Sequence, residues 1–242
     1  MAGKNQALFK PFLFADQDLD TLVADISPKG GALAEAAAHL RAGNPGEAAV
    51  VLGSAILTAP GEVTGWHRLL LAAAQRRNGN PAAAVRTLKG VLAAEKDSRL
   101  RLWTFTALRA LDATPAEDGV EGVVLEVEGG HGVETLAAYA DGSARYLLPT
   151  GARVIWDAPD QRLEKVIAAV IAGAAAIVPH TAPGKLAGEP GTGMARMTLL
   201  LPSGLRAVEE PLAAVIQAEH RLAPLFAPAT TLLEQVCAIA KW

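Results

Sequence analysis

The stretch GEPGTGMARM, residues 188–197, carries the glycine spacing of a phosphate-binding loop. Gly188 and Gly193 stand as the two glycines of G-x-x-x-x-G-K-[ST] do. The positions that would do the chemistry are filled wrongly. Met194 stands where a lysine neutralises the β- and γ-phosphates, and Ala195 where a hydroxyl holds magnesium. The residues that follow, MARMTLLL, read as a strand, so no helix N-terminus would face a phosphate. The dinucleotide fingerprint G-x-G-x-x-G fails too, because Arg196 replaces its last glycine. Two readings remain for residues 180–196: a glycine- and proline-rich connection, or a nonstandard anion nest assisted by Lys185 or Arg196.

Other reactive side chains are scattered. Ser143 and Ser203 fall in expected hairpin turns, and no G-x-S-x-G elbow surrounds a serine. Cys237 lies beside the apolar stripe of the final helix and reads as a small buried hydrophobe. His39, His67, His131, His180 and His220 show neither H-x-x-x-H nor H-E-x-x-H spacing. His131 is the most accessible to a ligand, since Gly129, Gly130 and Gly132 surround it. Asp16, Asp18 and Asp20 resemble half of a calcium loop but lack its central glycine and closing glutamate, so helix capping accounts for them better. Glu209 and Glu210 precede Pro211, and Asp157 and Asp160 flank Pro159, as acidic residues do at helix starts. Tyr139, Tyr146 and Trp156 fall on neighbouring expected strands, either as core residues or as an outward-facing binding platform. No catalytic residue, metal ligand or cofactor site is assigned. The candidate binding residues are His131, Tyr139, Tyr146, Trp156, Lys185 and Arg196.

The elements that would hold these residues follow from composition and period. The chain has 242 residues, is 51% hydrophobic and carries a net charge of −3, which suits packed cores and argues against a dedicated nucleic-acid binder. One cysteine excludes an internal disulfide framework. The N-terminus lacks the pattern of a signal peptide, and the longest apolar run, Val166 to Val178, is short for a bilayer span. A cytoplasmic protein, bacterial in style, is expected.

The first half reads as helices. Asp16 is the expected cap of a helix with Leu19, Leu22, Val23 and Ile26 on one face, and SPKGG at 27–31 breaks the chain. An internal repeat follows: AAAHLRAGNPGEAAVVLGSAI from Ala36 and AAAQRRNGNPAAAVRTLKGVL from Ala72. Their Gly-Asn-Pro turns begin at Gly43 and Gly79, a period of 36 residues. Residues 31–112 resemble tetratricopeptide repeats, helical hairpins with a period of about 34 residues. The resemblance places Gly43 and Gly79 in the inter-helix turns, Ala48 and Ala84 at close-packing positions, and Leu52 and Leu88 on the inner face. Trp66 is out of register with the family's tryptophan, and Lys96 replaces the proline that Pro60 supplies in the first copy. A helix near 98–111 closes the array.

Beyond DATPAEDG the period changes to two. Strands near 120–129, 134–139, 143–148 and 152–156 make an antiparallel meander, with Asp141-Gly142 and Pro149-Thr150-Gly151 as turns. A helix is expected over 159–172, a hairpin over 194–210, a helix from Pro211 to about Glu219, and a last helix from Pro228. The fold class is α+β, with a helical repeat domain at 1–115 and an α+β domain at 119–242. The second domain, with LAAYADGSARYLLPTGARVIW, resembles a module of uncharacterised bacterial proteins, which transfers no site. The expected function is a noncatalytic protein-interaction or assembly module, with a protein partner or self-association and neither nucleic acid nor a membrane span. The alternatives are a ligand-sensing or enzymatic α+β domain with an anion site at 180–196, and an immunity or defence accessory protein.

Overall fold

The computed structural model describes residues 11–114, 116, 119–157, 161–185 and 188–240. The chain is α+β: helices come first, then a seven-stranded antiparallel sheet with further helices. It divides into two compact units. One is Gln17–Ala116; the other is Glu117–Trp242 joined by the N-terminal segment, of which 11–16 is described. Residues 11–16 therefore go with the sheet, not with the helical repeats as the sequence suggested. Tyr139, on the second strand, donates its hydroxyl proton to the Leu13 carbonyl at 2.7 Å, and Phe14 is buried.

The helical unit contains α1 (Leu19–Asp25), α2 (Gly31–Arg41), α3 (Pro45–Thr58), α4 (Gly65–Arg77), α5 (Pro81–Ala94) and α6 (Ser98–Arg109). The cap of α1 is Asp18, not Asp16. Its carboxylate accepts the amides of Asp20 at 2.8 Å and Thr21 at 3.0 Å. Asp20 holds the basic pair at the end of α4, taking Arg76 at 2.5 Å and Arg77 at 2.6 Å.

The sequence repeat is a repeat of geometry. In the first copy the Asn44 amide reaches back to the His39 carbonyl at 2.9 Å and the Gly43 amide to Leu40 at 3.3 Å. In the second copy Asn80 reaches Gln75 at 2.9 Å and Gly79 reaches Arg76 at 3.1 Å. This double bond at a helix end requires a left-handed residue, and Gly43 and Gly79 supply it with φ of 79° and 74°. Pro45 and Pro81 then open the following helices, where a missing N–H costs nothing. Ala36, Ala37, Ala48 and Leu52 are buried, as are their counterparts Ala72, Ala73, Ala84 and Leu88. Consecutive helices pack as hairpins, α2 also meets α4, and α4 also meets α6. Trp66 of α4 lies tilted against Trp103 of α6, with ring centroids 5.1 Å apart.

The second unit is built on β1 (Gly122–Glu128), β2 (Val133–Tyr139), β3 (Ala144–Leu147), β4 (Arg153–Trp156), β5 (Ala182–Pro183), β6 (Met194–Leu201) and β7 (Gly204–Pro211). The spatial order is β4-β3-β2-β1-β6-β7-β5. The long hairpin β6–β7 thus joins the meander through β1, with Leu125 opposite Met197. Helix α7 (Gln161–Ile177) lies between β4 and β5, and α8 (Leu212–Val215) and α9 (Ala223–Ala240) follow β7. One face of the sheet, including Val123, Leu125, Leu136 and Met197, forms a single core with Leu163, Ile167 and Val170 of α7 and Leu225, Leu232 and Val236 of α9. Each such side chain stabilises the fold by roughly 1.5–3 kcal/mol through burial.

Several boundaries differ from the sequence expectation. Helix α7 continues to Ile177, past the expected 172, because its alanine-rich second half packs on α9. The expected start of this helix at Pro159 and Asp160 lies outside the described residues. The segment after β7 is helical only over Leu212–Val215; beyond it Gln217, His220 and Ala223 donate three residues back, to Ala214, Gln217 and His220. Helix α9 starts at Ala223 and carries Pro228 inside it. Gln161–His180 and Ala223–Ala240 are each long and apolar enough to cross a membrane by length and composition, with mean hydropathies of 1.6 and 1.3. In this fold one stripe of each is the core just described.

Candidate functional site

The loop at 188–193 does bind carboxylate oxygens, and they are the protein's own. The strand register sets Glu126 of β1 opposite Arg196 of β6, and Arg196 opposite Glu209 of β7. Arg196 donates to Glu209 through Nε at 2.8 Å, and its guanidinium lies 3.7 Å from Glu126. The same guanidinium donates to the carbonyls of Gly188 and, at 3.3 Å, Glu189. Glu209 accepts the Gly191 amide at 3.2 Å. The Gly193 amide donates to the Glu128 backbone carbonyl at 2.9 Å and leans on its carboxylate at 3.3 Å. Burial pushes the Glu209 carboxyl up, but the Arg196 hydrogen bond and the Gly191 amide outweigh it and hold it below the usual value. The Gly191 and Gly193 amides and the Arg196 guanidinium are therefore engaged by the protein's own oxygens, and Arg196 is a clamp on the loop. Lys185, the other helper expected from sequence, is exposed.

The three aromatic residues do not form one platform. Tyr139 pairs with Gly122, is 0% exposed and lies on the face of β2 opposite to Leu136. Tyr146 stands opposite Leu136, and Trp156 opposite Ala144, so these two share the helix-covered face. Alternation along β2 forces this split, since residues 136 and 139 differ by an odd number of steps. His131 is exposed in the β1–β2 turn. Among the described residues no group of three or more His, Cys, Asp or Glu side chains could hold a metal ion.

What the structure brings together is a groove on the helix-covered face. Strands β1, β2 and β3 form its floor through Leu125, Leu136 and Tyr146; Phe226 and Leu233 of α9 and Ile216 after α8 form its walls. Its volume is about 290 Å³, near the lower end for ligand pockets. Only Glu134 brings charge to the lining. The Tyr146 hydroxyl donates to the Glu134 carboxylate at 2.6 Å, and Tyr146 itself is 5% exposed. Burial, then the bond to Glu134, pushes the Tyr146 hydroxyl pKa up, so it stays a donor. Burial, then Glu134, also raises the Cys237 thiol. A wider hollow of about 460 Å³, between the β2–β3 turn and α7, is lined largely by Ala140, Ala168, Ala172 and Ala175.

Of the candidates read from the sequence, Tyr146 alone lines this groove. Glu134 was missed because a glutamate in an alternating strand reads as solvent-facing; its spacing of two from Leu136 was the available signal. Phe226, Leu233 and Ile216 were out of reach, because nothing local says which strands the last helix will cover.

These features define an α+β chain with a helical repeat unit and a grooved antiparallel sheet unit. No protein-family model, curated protein or solved structure matches the chain.

Proposed function

We propose that the chain is a noncatalytic protein-interaction or assembly module whose helical unit carries the partner-binding face. One observation on α3 carries this reading. Val50 is 71% exposed and Leu57 83%, more than any other large hydrophobic side chain among the described residues. Seven residues apart on a helix, they lie on one stripe. Exposed apolar surface of this kind marks interaction sites when it is contiguous. The equivalent positions of the second copy hold Arg86 and Ala93, so the repeat does not need large hydrophobic side chains there in order to fold.

Two further points support the reading. The likeness to tetratricopeptide repeats, an analogy of fold, suits a surface that receives a partner. The charged side chains best suited to chemistry are engaged internally: Arg76 and Arg77 by Asp20, and Arg196 by Glu209. The test is site-specific photo-crosslinking from position 57 of the full chain in its native cell, with light scattering on the purified protein. A defined adduct, to a second protein or a second copy, that disappears in Val50→Asp is the expected result. A strict monomer that gives no adduct from position 57 overturns the reading.

A further inference from the structure

We propose that the groove under α9 is a binding site for a small cationic amphiphile, a ligand with an ammonium head and a short apolar tail. This site belongs to the sheet unit and does not depend on the partner face of α3. Its chemistry follows from its lining. Leu125, Leu136, Phe226 and Leu233 offer a tail only apolar surface, and Ile216 at the rim is 57% exposed.

The head is chosen by Glu134. This carboxylate is exposed at the groove, accepts one hydrogen bond from Tyr146, and has no lysine or arginine partner among the described residues. A carboxylate has about four lone-pair sites, so a single hydroxyl leaves most of its accepting capacity open. A neutral tail sliding over it would strip its water and give nothing in return. An anionic head would meet a like charge at short range. An ammonium group would replace the lost water with a charge-assisted hydrogen bond. A divalent cation is a poor match, because Glu134 is the only carboxylate in the lining. A partner peptide is equally poorly served. Strands β1, β2 and β3 are interior to the sheet and have no free edge for a peptide backbone to join.

The experiment compares three ligands of equal length, n-hexylamine, n-hexanol and hexanoate, by calorimetry and thermal shift on the full chain. Hexylamine is expected to bind roughly tenfold or more tightly than hexanol, the worth of one hydrogen bond to a charged group, and hexanoate not at all. Glu134→Gln is expected to reduce hexylamine to the level of hexanol. Thr230→Trp, which plugs the mouth from an exposed helix position, is expected to abolish binding of both while the far-ultraviolet spectrum is unchanged. Equal binding of hexanol and hexylamine, no binding of either at millimolar concentration, or full hexylamine affinity in Glu134→Gln would each overturn the proposal. The comparison of ligands on the unaltered protein stands even if a variant fails to fold.

Discussion

A β-carbon on Gly173 would stand 2.0 Å from the carbonyl oxygen of Pro224 and 2.9 Å from the α-carbon of Leu225. Helices α7 and α9 therefore meet backbone to backbone at this point. The carbonyl concerned is one that the helix leaves over: Pro228, four residues on, has no N–H to return to it. A proline inside one helix and a glycine inside another, each unfavourable alone, are accommodated at one crossing.

Gly173→Ala is expected to destabilise the protein, although alanine is the better helix former in isolation. The obstacle is backbone, which cannot rotate away, so the cost is that of overpacking, about 1–3 kcal/mol. The urea midpoint of the full chain checks this. A midpoint equal to or above that of the unaltered protein would sink the crossing argument.

Tyr139→Phe removes the hydroxyl that donates to Leu13 while leaving the ring in place. The expected cost is about 0.5–1.5 kcal/mol, that of one intramolecular hydrogen bond. Amide exchange at 13–16 should accelerate before the strands do. Unchanged exchange there would show that the segment is held by other contacts alone.

Arg196→Leu keeps the aliphatic stem and removes the charge between Glu126 and Glu209. A loss of about 1–3 kcal/mol is expected, because Glu126 is buried and loses a cationic neighbour. The pH dependence gives a second signature. Glu209 is held below its ordinary value of 4.5 in the folded chain, so its contribution is fully present above that value and is lost as pH falls through the folded pKa. In Arg196→Leu this part of the acid sensitivity should shrink. Identical acid profiles of the two proteins would contradict it.

His67 caps α4 in place of the more usual glutamate. Its Nδ1 accepts the Thr64 amide at 3.2 Å, which requires an unprotonated nitrogen. Burial, and then Arg68, hold its pKa below the ordinary 6.5. The unfolded chain thus takes up a proton more readily than the folded one. Stability from this residue is present above about pH 6.5 and declines as pH falls towards the folded pKa. Histidine titration by NMR should place His67 below 6.5, and His67→Ala should flatten the stability profile in that window. A midpoint above 6.5 would reverse the sign of the argument.

The parts of the fold legible in the sequence are those in which cause and effect lie within a few residues. Gly43-Asn44-Pro45 and Gly79-Asn80-Pro81 announced two identical helix–turn–helix joints, since the bonds that close them span five residues. Asp141-Gly142 announced a hairpin for the same reason. Errors begin where a distant neighbour intervenes. Pro228 looked like a helix start, but α9 runs through it because α7 receives the turn before it at Gly173. Pro211 does open a helix, as the last residue of β7 and the N-cap of α8, but that helix ends at Val215 and not near Glu219.

The candidate site divides along the same line. Alternation in VETLAAY and SARYLL determined that Glu134, Leu136 and Ala138 share one face of their strand, and Ala144 and Tyr146 one face of theirs, because successive side chains on a strand point opposite ways. Alternation does not say which face is covered, or by what. The insertion of β6 beside β1 set Arg196 between Glu126 and Glu209, and so closed the glycine-rich loop on the protein's own carboxylates. The docking of α9 made a groove beside Glu134. Both depend on pairings between residues tens of positions apart, whose selection rests on the burial of whole faces and not on any local preference. Sequence alone determined the turns, the caps it placed correctly and the two-fold repeat; only the tertiary structure decided which charges meet and which face of the sheet is left with a cleft.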